Sequence, residues 1–99
     1  MSTGSRKRGP ATRAVVAEIK AERTRQNATR VPKWTQVTFS EATGIPKDTI
    51  KSIESFRGPL DVDQLFAMAD ALGLQPSELV ARAEQVHSLA ERKPSDARQ

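Results

Sequence analysis

Apolar side chains recur at helical spacing near the start of the chain. Pro10 suits the first turn of a helix because its missing N–H is not needed there. Val15, Val16 and Ile19 then fall on one face of a helix that continues to about Asn27. The pattern therefore predicts a first helix that begins at Pro10 and buries this face.

The polar stretch 27–33 breaks the apolar pattern and predicts a loop, in which Arg30 and Lys33 are expected to point to solvent. Thr35 can cap the next helix with its hydroxyl. Trp34, just before this cap, is expected to pack onto the helix rather than to remain exposed. This segment therefore predicts the start of a second helix.

Two short helices are predicted next, separated by Gly44, whose freedom to adopt a left-handed conformation suits a helix end. The first covers about 37–43, and the second covers 47–54 after Pro46. Ile50 and Ile53 share the inward face of the second helix. Its outward residues are Lys47, Asp48, Lys51 and Ser52.

Two further helices complete the pattern, and no stretch alternates as a strand would, so the fold class is all-α. Asp61 and Gln64 have the spacing of a capping box, Gly73 ends the fourth helix, and Pro76 begins a fifth that runs to about Arg92. The apolar residues of these helices are Val62, Leu65, Phe66, Met68, Ala69 and Leu72, then Leu79, Val80, Ala83, Val86 and Leu89. We expect Phe66, Met68 and Leu72 to belong to the core.

A chain of 99 residues can build one domain with one modest core. We divide it into a flexible basic arm (1–9), a helical domain (10–82), and a C-terminal helix extension with a polar tail (83–99). The chain has no cysteine, which excludes disulfides and thiolate chemistry. It shows neither a membrane-length apolar run nor a signal-peptide pattern, so we expect a cytoplasmic protein that does not bind membranes.

The net charge of +4 is unevenly distributed. Residues 1–30 contain eight basic and two acidic side chains, whereas residues 59–99 contain four basic and seven acidic ones. Such a polarity suits contact with a polyanion on one side of the molecule. The arm contributes Arg6, Lys7 and Arg8, which either contact a nucleic acid or form a solubilising tail.

The spacing between residues 36 and 53 is more specific than an amphipathic pattern requires. Two helices that cross steeply need a small residue where their backbones approach and a glycine where the chain reverses. Ser40 and Gly44 meet these needs. The apolar residues of the unit are Phe39, Ile45, Ile50 and Ile53. These are the requirements of a helix-turn-helix.

The sequence resembles the Cro/CI-type (xenobiotic-response-element, lambda-repressor-like) helix-turn-helix family over about residues 15–80. The motif that carries the resemblance reads WTQVTFSEATGIPKDTIKSIE over 34–54, then LFAMADALGL over 65–74 and Glu78-Leu79. The resemblance implies a compact domain of five helices, with the helix-turn-helix as helices 2 and 3, that binds an operator in double-stranded DNA.

The resemblance also implies roles for individual residues. Lys47, Asp48, Lys51 and Ser52 occupy the positions that reach base edges, and Lys47 suits guanine whereas Asp48 suits cytosine. The residues expected at the DNA backbone are Thr35, Gln36, Arg57, Lys33 and Arg30. The helix over 47–54 is the recognition helix that the resemblance places in the major groove. Arg23 and Glu54 match a buried salt bridge between the first helix and this recognition helix.

The chain departs from the family pattern at several positions. Ser40 replaces the usual alanine, Thr43 replaces a common aliphatic residue, and Phe56 stands where a glycine often follows the recognition helix. The loop 27–33 is several residues longer than usual. These departures bear most on the contacts with phosphates.

The residues do not favour an enzyme or a metal site. His87 is the only histidine, and no cysteine accompanies it, so no zinc-binding set can form. Asp61 and Asp63 lie at a helix start, where acidic residues favour the helix dipole. No nucleophile, base and orienting group occur together. We therefore expect no catalytic activity, no cofactor and no small-molecule ligand.

The leading hypothesis is a sequence-specific transcriptional regulator of the phage repressor or Cro kind, acting on DNA as a homodimer. One alternative is an antitoxin-like autoregulator that binds a partner protein through residues 83–92. Another is a recombination or packaging accessory protein that bends DNA. An RNA-binding role is less favoured, because Trp34 is the only candidate aromatic stacking platform on the proposed surface.

Overall fold

The computed structural model describes the backbone of residues 9–96 and the side chains of residues 9–86. This part of the chain contains five helices and no strand, as the sequence predicts. The helices are α1 (Pro10–Asn27), α2 (Gln36–Thr43), α3 (Lys47–Glu54), α4 (Val62–Leu72) and α5 (Pro76–Asp96). Arg6, Lys7 and Arg8 of the expected arm lie outside the described residues, as does the side chain of His87.

The helix boundaries follow from local capping. The Thr35 hydroxyl accepts a hydrogen bond from the Thr38 N–H, and Asp61 accepts one from the Gln64 N–H, so α2 and α4 both begin with a capping box. Gly44 and Gly73 end the same two helices at φ +76°, which glycine adopts without strain. The predicted start and end signals of α2 and α4 are confirmed.

The end of α5 differs from the expectation. The helix continues past Pro94 to Asp96 instead of ending near Arg92. Pro94 lacks the N–H that would bond the carbonyl of residue 90, so the helix continues through its last turn with one backbone hydrogen bond fewer. The domain boundary expected at residue 82 falls inside this continuous helix.

The core lies between α1, which packs against α3, α4 and α5, and α2, which packs against α3 and α4. Trp34 packs edge-on against Phe39, with ring centroids 5.2 Å apart, and Phe39 itself is fully buried. The other buried apolar residues of this cluster are Val16, Ile19, Ile45, Ile50, Ile53, Met68, Ala69, Leu72 and Leu79. Contacts between α1 and α5 are the most extensive of any helix pair in the described structure.

Phe66 is not a core residue, and that prediction was wrong. Its side chain is 55% exposed, whereas Met68 and Leu72 are buried as expected. The buried face of α4 runs through Met68, Ala69 and Leu72, and Phe66 lies on its flank. Val62, counted on the same apolar face, is also exposed because it lies at the first turn, beyond the core.

Candidate nucleic-acid interface

The turn between α2 and α3 is tied together by two side-chain hydroxyls. The Ser40 hydroxyl donates to the Ile45 carbonyl at 2.6 Å, which bridges the turn. The Thr43 hydroxyl donates to the Phe39 carbonyl at 2.7 Å and accepts from the Ile45 N–H at 3.2 Å. Ser40 and Thr43 are two of the departures from the family pattern, and here their hydroxyls bond the carbonyl and the N–H of Ile45 in the turn.

Helix α3 has one buried face and one exposed face. Ile50 and Ile53 are essentially inaccessible to solvent and anchor the helix in the core. Lys47, Asp48 and Lys51 are exposed on the opposite side. The structure therefore presents three of the four predicted base-contacting side chains together on one accessible surface.

Ser52, the fourth predicted base-contacting residue, is only half-exposed. Its carbonyl accepts hydrogen bonds from the N–H groups of Arg57 and Gly58, at 2.9 and 3.0 Å. A Cβ atom at Gly58 would lie 2.6 Å from the Ser52 hydroxyl, so a side chain here would force the Ser52 side chain to move. The turn after α3 therefore partly covers Ser52. This residue is less exposed than the sequence predicts.

The start of α2 lies beside the end of α3. Thr35 is exposed, but its hydroxyl and its N–H are both engaged with Thr38 in the capping box. Gln36 is half-buried, and its amide is among the groups that act on the Glu54 carboxyl. Because the first N–H groups of a helix have no intrahelical acceptor, this end of α2 can present donors to a phosphate.

The three basic residues that the sequence assigned to the DNA backbone have different surroundings. The guanidinium of Arg30 lies 3.6 Å above the Trp34 ring, so the expectation that Arg30 points to solvent is wrong. A planar guanidinium stacks favourably on an aromatic face because it is weakly hydrated and is attracted to the electron-rich ring. Lys33 is exposed, and its ammonium donates to the Asn27 carbonyl. Arg57 is exposed in the turn after α3.

Trp34 packs into the protein, as expected. Its indole N–H donates to the Gln26 side chain at 2.8 Å, and the Asn27 side chain forms hydrogen bonds with both backbone groups of Trp34. With 6% of its surface exposed, Trp34 offers no free face to a nucleotide. The longer loop 27–33 is thus fastened at its end to α1.

Arg23 and Glu54 form the buried ion pair between α1 and α3, with the guanidinium nitrogen 2.9 Å from the carboxylate. Lys20 reinforces this contact by donating to the Glu54 carbonyl at 3.1 Å, at the end of α3. Burial raises the pKa of the Glu54 carboxyl, and Arg23, Lys20 and Gln36 oppose that rise. The pair sets the position of the recognition helix relative to α1.

Phe56 is a feature of the site whose role the sequence did not reveal. It adopts φ +63°, a left-handed conformation that costs a side-chain-bearing residue free energy. Its ring lies 4.6 Å from the Arg13 guanidinium and 5.1 Å from the Lys20 ammonium. The absence of the usual glycine at this position was the available signal, since the turn itself demands a positive φ.

Among the described residues, no three histidine or acidic side chains cluster closely enough to hold a metal ion. None of the helices in this part of the chain has the length and apolar character needed to cross a membrane.

Comparison with protein families agrees with the geometry. A helix-turn-helix family model matches residues 32–79, which span α2, α3, α4 and the start of α5. Comparisons with curated proteins and with solved structures found no match. The matched segment contains both helices of the motif and the helix that supports them. Residues 32–79 therefore form a helix-turn-helix domain of the Cro/CI type, a kind of domain that binds double-stranded DNA.

Proposed function

We propose that the protein is a sequence-specific transcriptional regulator of the phage repressor or Cro kind, which inserts α3 into the major groove of an operator. The observation that carries this proposal is the division of α3 into a buried face and an accessible one bearing Lys47, Asp48 and Lys51. A helix seated in this way is rigid enough to present side chains to base edges. We expect the protein to act in the cytoplasm, where it meets the DNA, and to have no catalytic activity.

The exposed residues of α3 have complementary chemistry. The Lys47 ammonium can donate to guanine O6 or N7, and the Asp48 carboxylate can accept from cytosine N4. Lys51 lies one turn further along the same helix, whereas the half-covered Ser52 contributes less. The proposed phosphate contacts are Thr35, Gln36, Arg57, Lys33 and Arg30, of which Arg30 would have to act from its position on the Trp34 ring.

The test is a binding titration with Lys47→Ala. An operator is first selected from a random duplex pool, and affinity is then measured by fluorescence anisotropy for the operator and for an unrelated duplex. We expect Lys47→Ala to lose about 1–3 kcal/mol on the operator and much less on the unrelated duplex. Arg25→Gln, an exposed arginine on α1, is the matched control and should bind as the wild type does. Equal weakening on both duplexes would make Lys47 a phosphate contact only.

A homodimer on DNA is part of the proposal, because one recognition helix reads too few base pairs to find a single site. The feature that favours it is a largely apolar groove between α1 and α5, lined by Ala11, Val15, Val80, Ala83 and Glu84. Val80 is 42% exposed there. Val80→Asp should lower the mass found by sedimentation and weaken operator binding at low protein concentration. A wild-type chain that is monomeric both free and on the operator would contradict the dimer.

A further inference from the structure

The two flanks of α1 differ in charge. Arg13 and Lys20 lie about two turns apart on the flank that faces the end of α3. Glu18, Glu22 and Arg25 lie on the other flank, toward α5. Helical periodicity places no acidic residue of α1 between Arg13 and Lys20 on their flank. The edge of α1 beside the recognition helix is therefore purely cationic.

The two basic side chains on this flank differ in the number of contacts that hold them. Lys20 is committed to the Glu54 carbonyl as well as to the Phe56 ring, and it is half-buried. Arg13 is exposed, and within residues 9–86 no carboxylate pairs with it. Its only specific partner in that part of the structure is the ring of Phe56.

We propose that Phe56 holds Arg13 in place as an additional DNA-phosphate contact, supplied by α1 from outside the helix-turn-helix. A guanidinium stacked on an aromatic face keeps its N–H donors directed outward, where they can form paired hydrogen bonds with a phosphate. The neighbour of Phe56 in the chain is Arg57, which is itself a proposed phosphate contact. The ring thus joins a cation of α1 to the turn that meets the DNA backbone.

This assignment explains why the turn contains a phenylalanine at φ +63° rather than a glycine. A glycine would relieve the backbone strain, but it would remove the aromatic ring that the Arg13 guanidinium contacts. The Phe56 backbone thus adopts a conformation of higher free energy, and in return its ring fixes the Arg13 guanidinium beside the recognition helix.

The inference rests on the proposed DNA-binding function, and the salt dependence of binding tests the two separately. Binding to a duplex is measured over a series of salt concentrations, and the slope of log K against log salt counts the phosphates neutralised. For Arg13→Gln we expect the slope to become shallower by about 0.9, with weaker binding on operator and unrelated duplex alike. Arg25→Gln, on the opposite flank of the same helix, should keep the wild-type slope.

Two further measurements separate phosphate contact from a structural role. Phe56→Leu keeps an apolar side chain but removes the ring, so its slope should lie between those of the wild type and Arg13→Gln. Thermal unfolding of each variant reports the structural contribution, which does not change the slope.

Each outcome has a defined meaning. A wild-type chain that fails to bind duplex DNA would overturn the proposed function, and the Arg13 contact with it. Steep wild-type salt dependence with an unchanged slope in Arg13→Gln would overturn the contact alone. A reduced slope in Arg13→Gln with an unchanged slope in Phe56→Leu would overturn the role of the ring.

Discussion

Two carboxylates take part in the packing of α1, Glu54 on α3 and Glu22 on α1 itself, and their environments are opposite. Glu54, at the contact between α1 and α3, is 7% exposed and forms one hydrogen bond with Arg23. Glu22, at the contact between α1 and α5, accepts hydrogen bonds from Arg25, Gln26 and Arg82. Burial alone would raise the pKa of Glu22, but these hydrogen bonds lower it to about 2. Burial raises the pKa of Glu54 despite its cationic partners.

The difference shows how the same residue type acts in two parts of one small domain. At the α1–α5 contact, three donors over-compensate the cost of removing Glu22 from water, so this carboxylate adds stability at neutral pH. At the α1–α3 contact, one buried ion pair fixes the recognition helix while recovering little of the desolvation cost. The Glu22 carboxylate is therefore held by several hydrogen-bond donors, whereas Arg23 is the one ion-pair partner of the Glu54 carboxylate among the described residues.

The largest effect is expected when the partner of Glu54 is removed. Arg23→Ala leaves a buried, unpaired carboxylate, so we expect the free energy of unfolding to fall by about 3 kcal/mol in denaturant titrations. Arg82→Ala is the matched control on the other side of α1. Because Glu22 keeps two other donors, that loss should be much smaller than the loss in Arg23→Ala. Similar losses for the two variants would remove the distinction between single and redundant contacts.

The pH dependence of stability tests the Glu22 side. The folded-state pKa is about 2 against an ordinary value of 4.5, so folding favours the ionised form of Glu22. Its contribution is complete above pH 4.5 and is lost as the pH falls toward 2. Allowing for screening at the exposed Arg25, we expect about 2 kcal/mol to be lost over this range. Chemical denaturation at each pH, for wild type and Glu22→Gln, measures it.

For Glu54, the contribution to stability should change with pH in the direction opposite to that of Glu22, and Glu54→Gln tests this. Because the Glu54 pKa is raised in the folded state, its ionisation opposes folding, and its contribution to stability decreases as the pH rises through 4.5. At each pH, the free energy of unfolding of Glu54→Gln is subtracted from that of the wild type. This difference should decrease as the pH rises, whereas the corresponding difference for Glu22→Gln should increase. Slopes of the same sign for both variants would contradict the pKa directions.

A smaller effect is expected at the turn that joins α2 to α3. Ser40→Ala restores the residue usual in the family but removes the 2.6 Å hydrogen bond to the Ile45 carbonyl, so we expect a loss of about 1 kcal/mol. Ser55→Ala is the control, since this exposed hydroxyl only bonds carbonyls of its own helix. Thermal unfolding compares the two. If Ser40→Ala is as stable as the wild type, this single contact does not hold the recognition unit.

The sequence predicted those parts of the fold that depend on local chemistry. Capping residues such as Thr35 and Asp61, and the glycines at 44 and 73, act within one helical turn, so their effect can be inferred without knowing the tertiary structure. The pairing of Arg23 with Glu54 joins distant residues, and only the family resemblance predicted it. Buried and exposed faces of α3 followed from a clear helical period.

The features that sequence analysis missed depend on which helix packs against which. The contacts of Arg30 with Trp34, and of Arg13 with Phe56, require tertiary placement that no local pattern contains. The turn after α3, which partly covers Ser52, is set by hydrogen bonds to the Ser52 carbonyl. Phe66 was misassigned because the apolar face of α4 is wider than the surface the core offers it.

The smallest effect is expected at Phe66, which extends the comparison from charged to apolar residues. Because the ring is 55% exposed on the flank of α4, Phe66→Gln should change the free energy of unfolding by less than about 0.5 kcal/mol. Met68→Ala, two residues further along the same helix, removes a fully buried side chain and should cost about 3 kcal/mol. Denaturant titrations of both variants measure the difference. Comparable losses at the two positions would mean that Phe66 is covered in solution, by a second copy or by residues outside the described part of the chain.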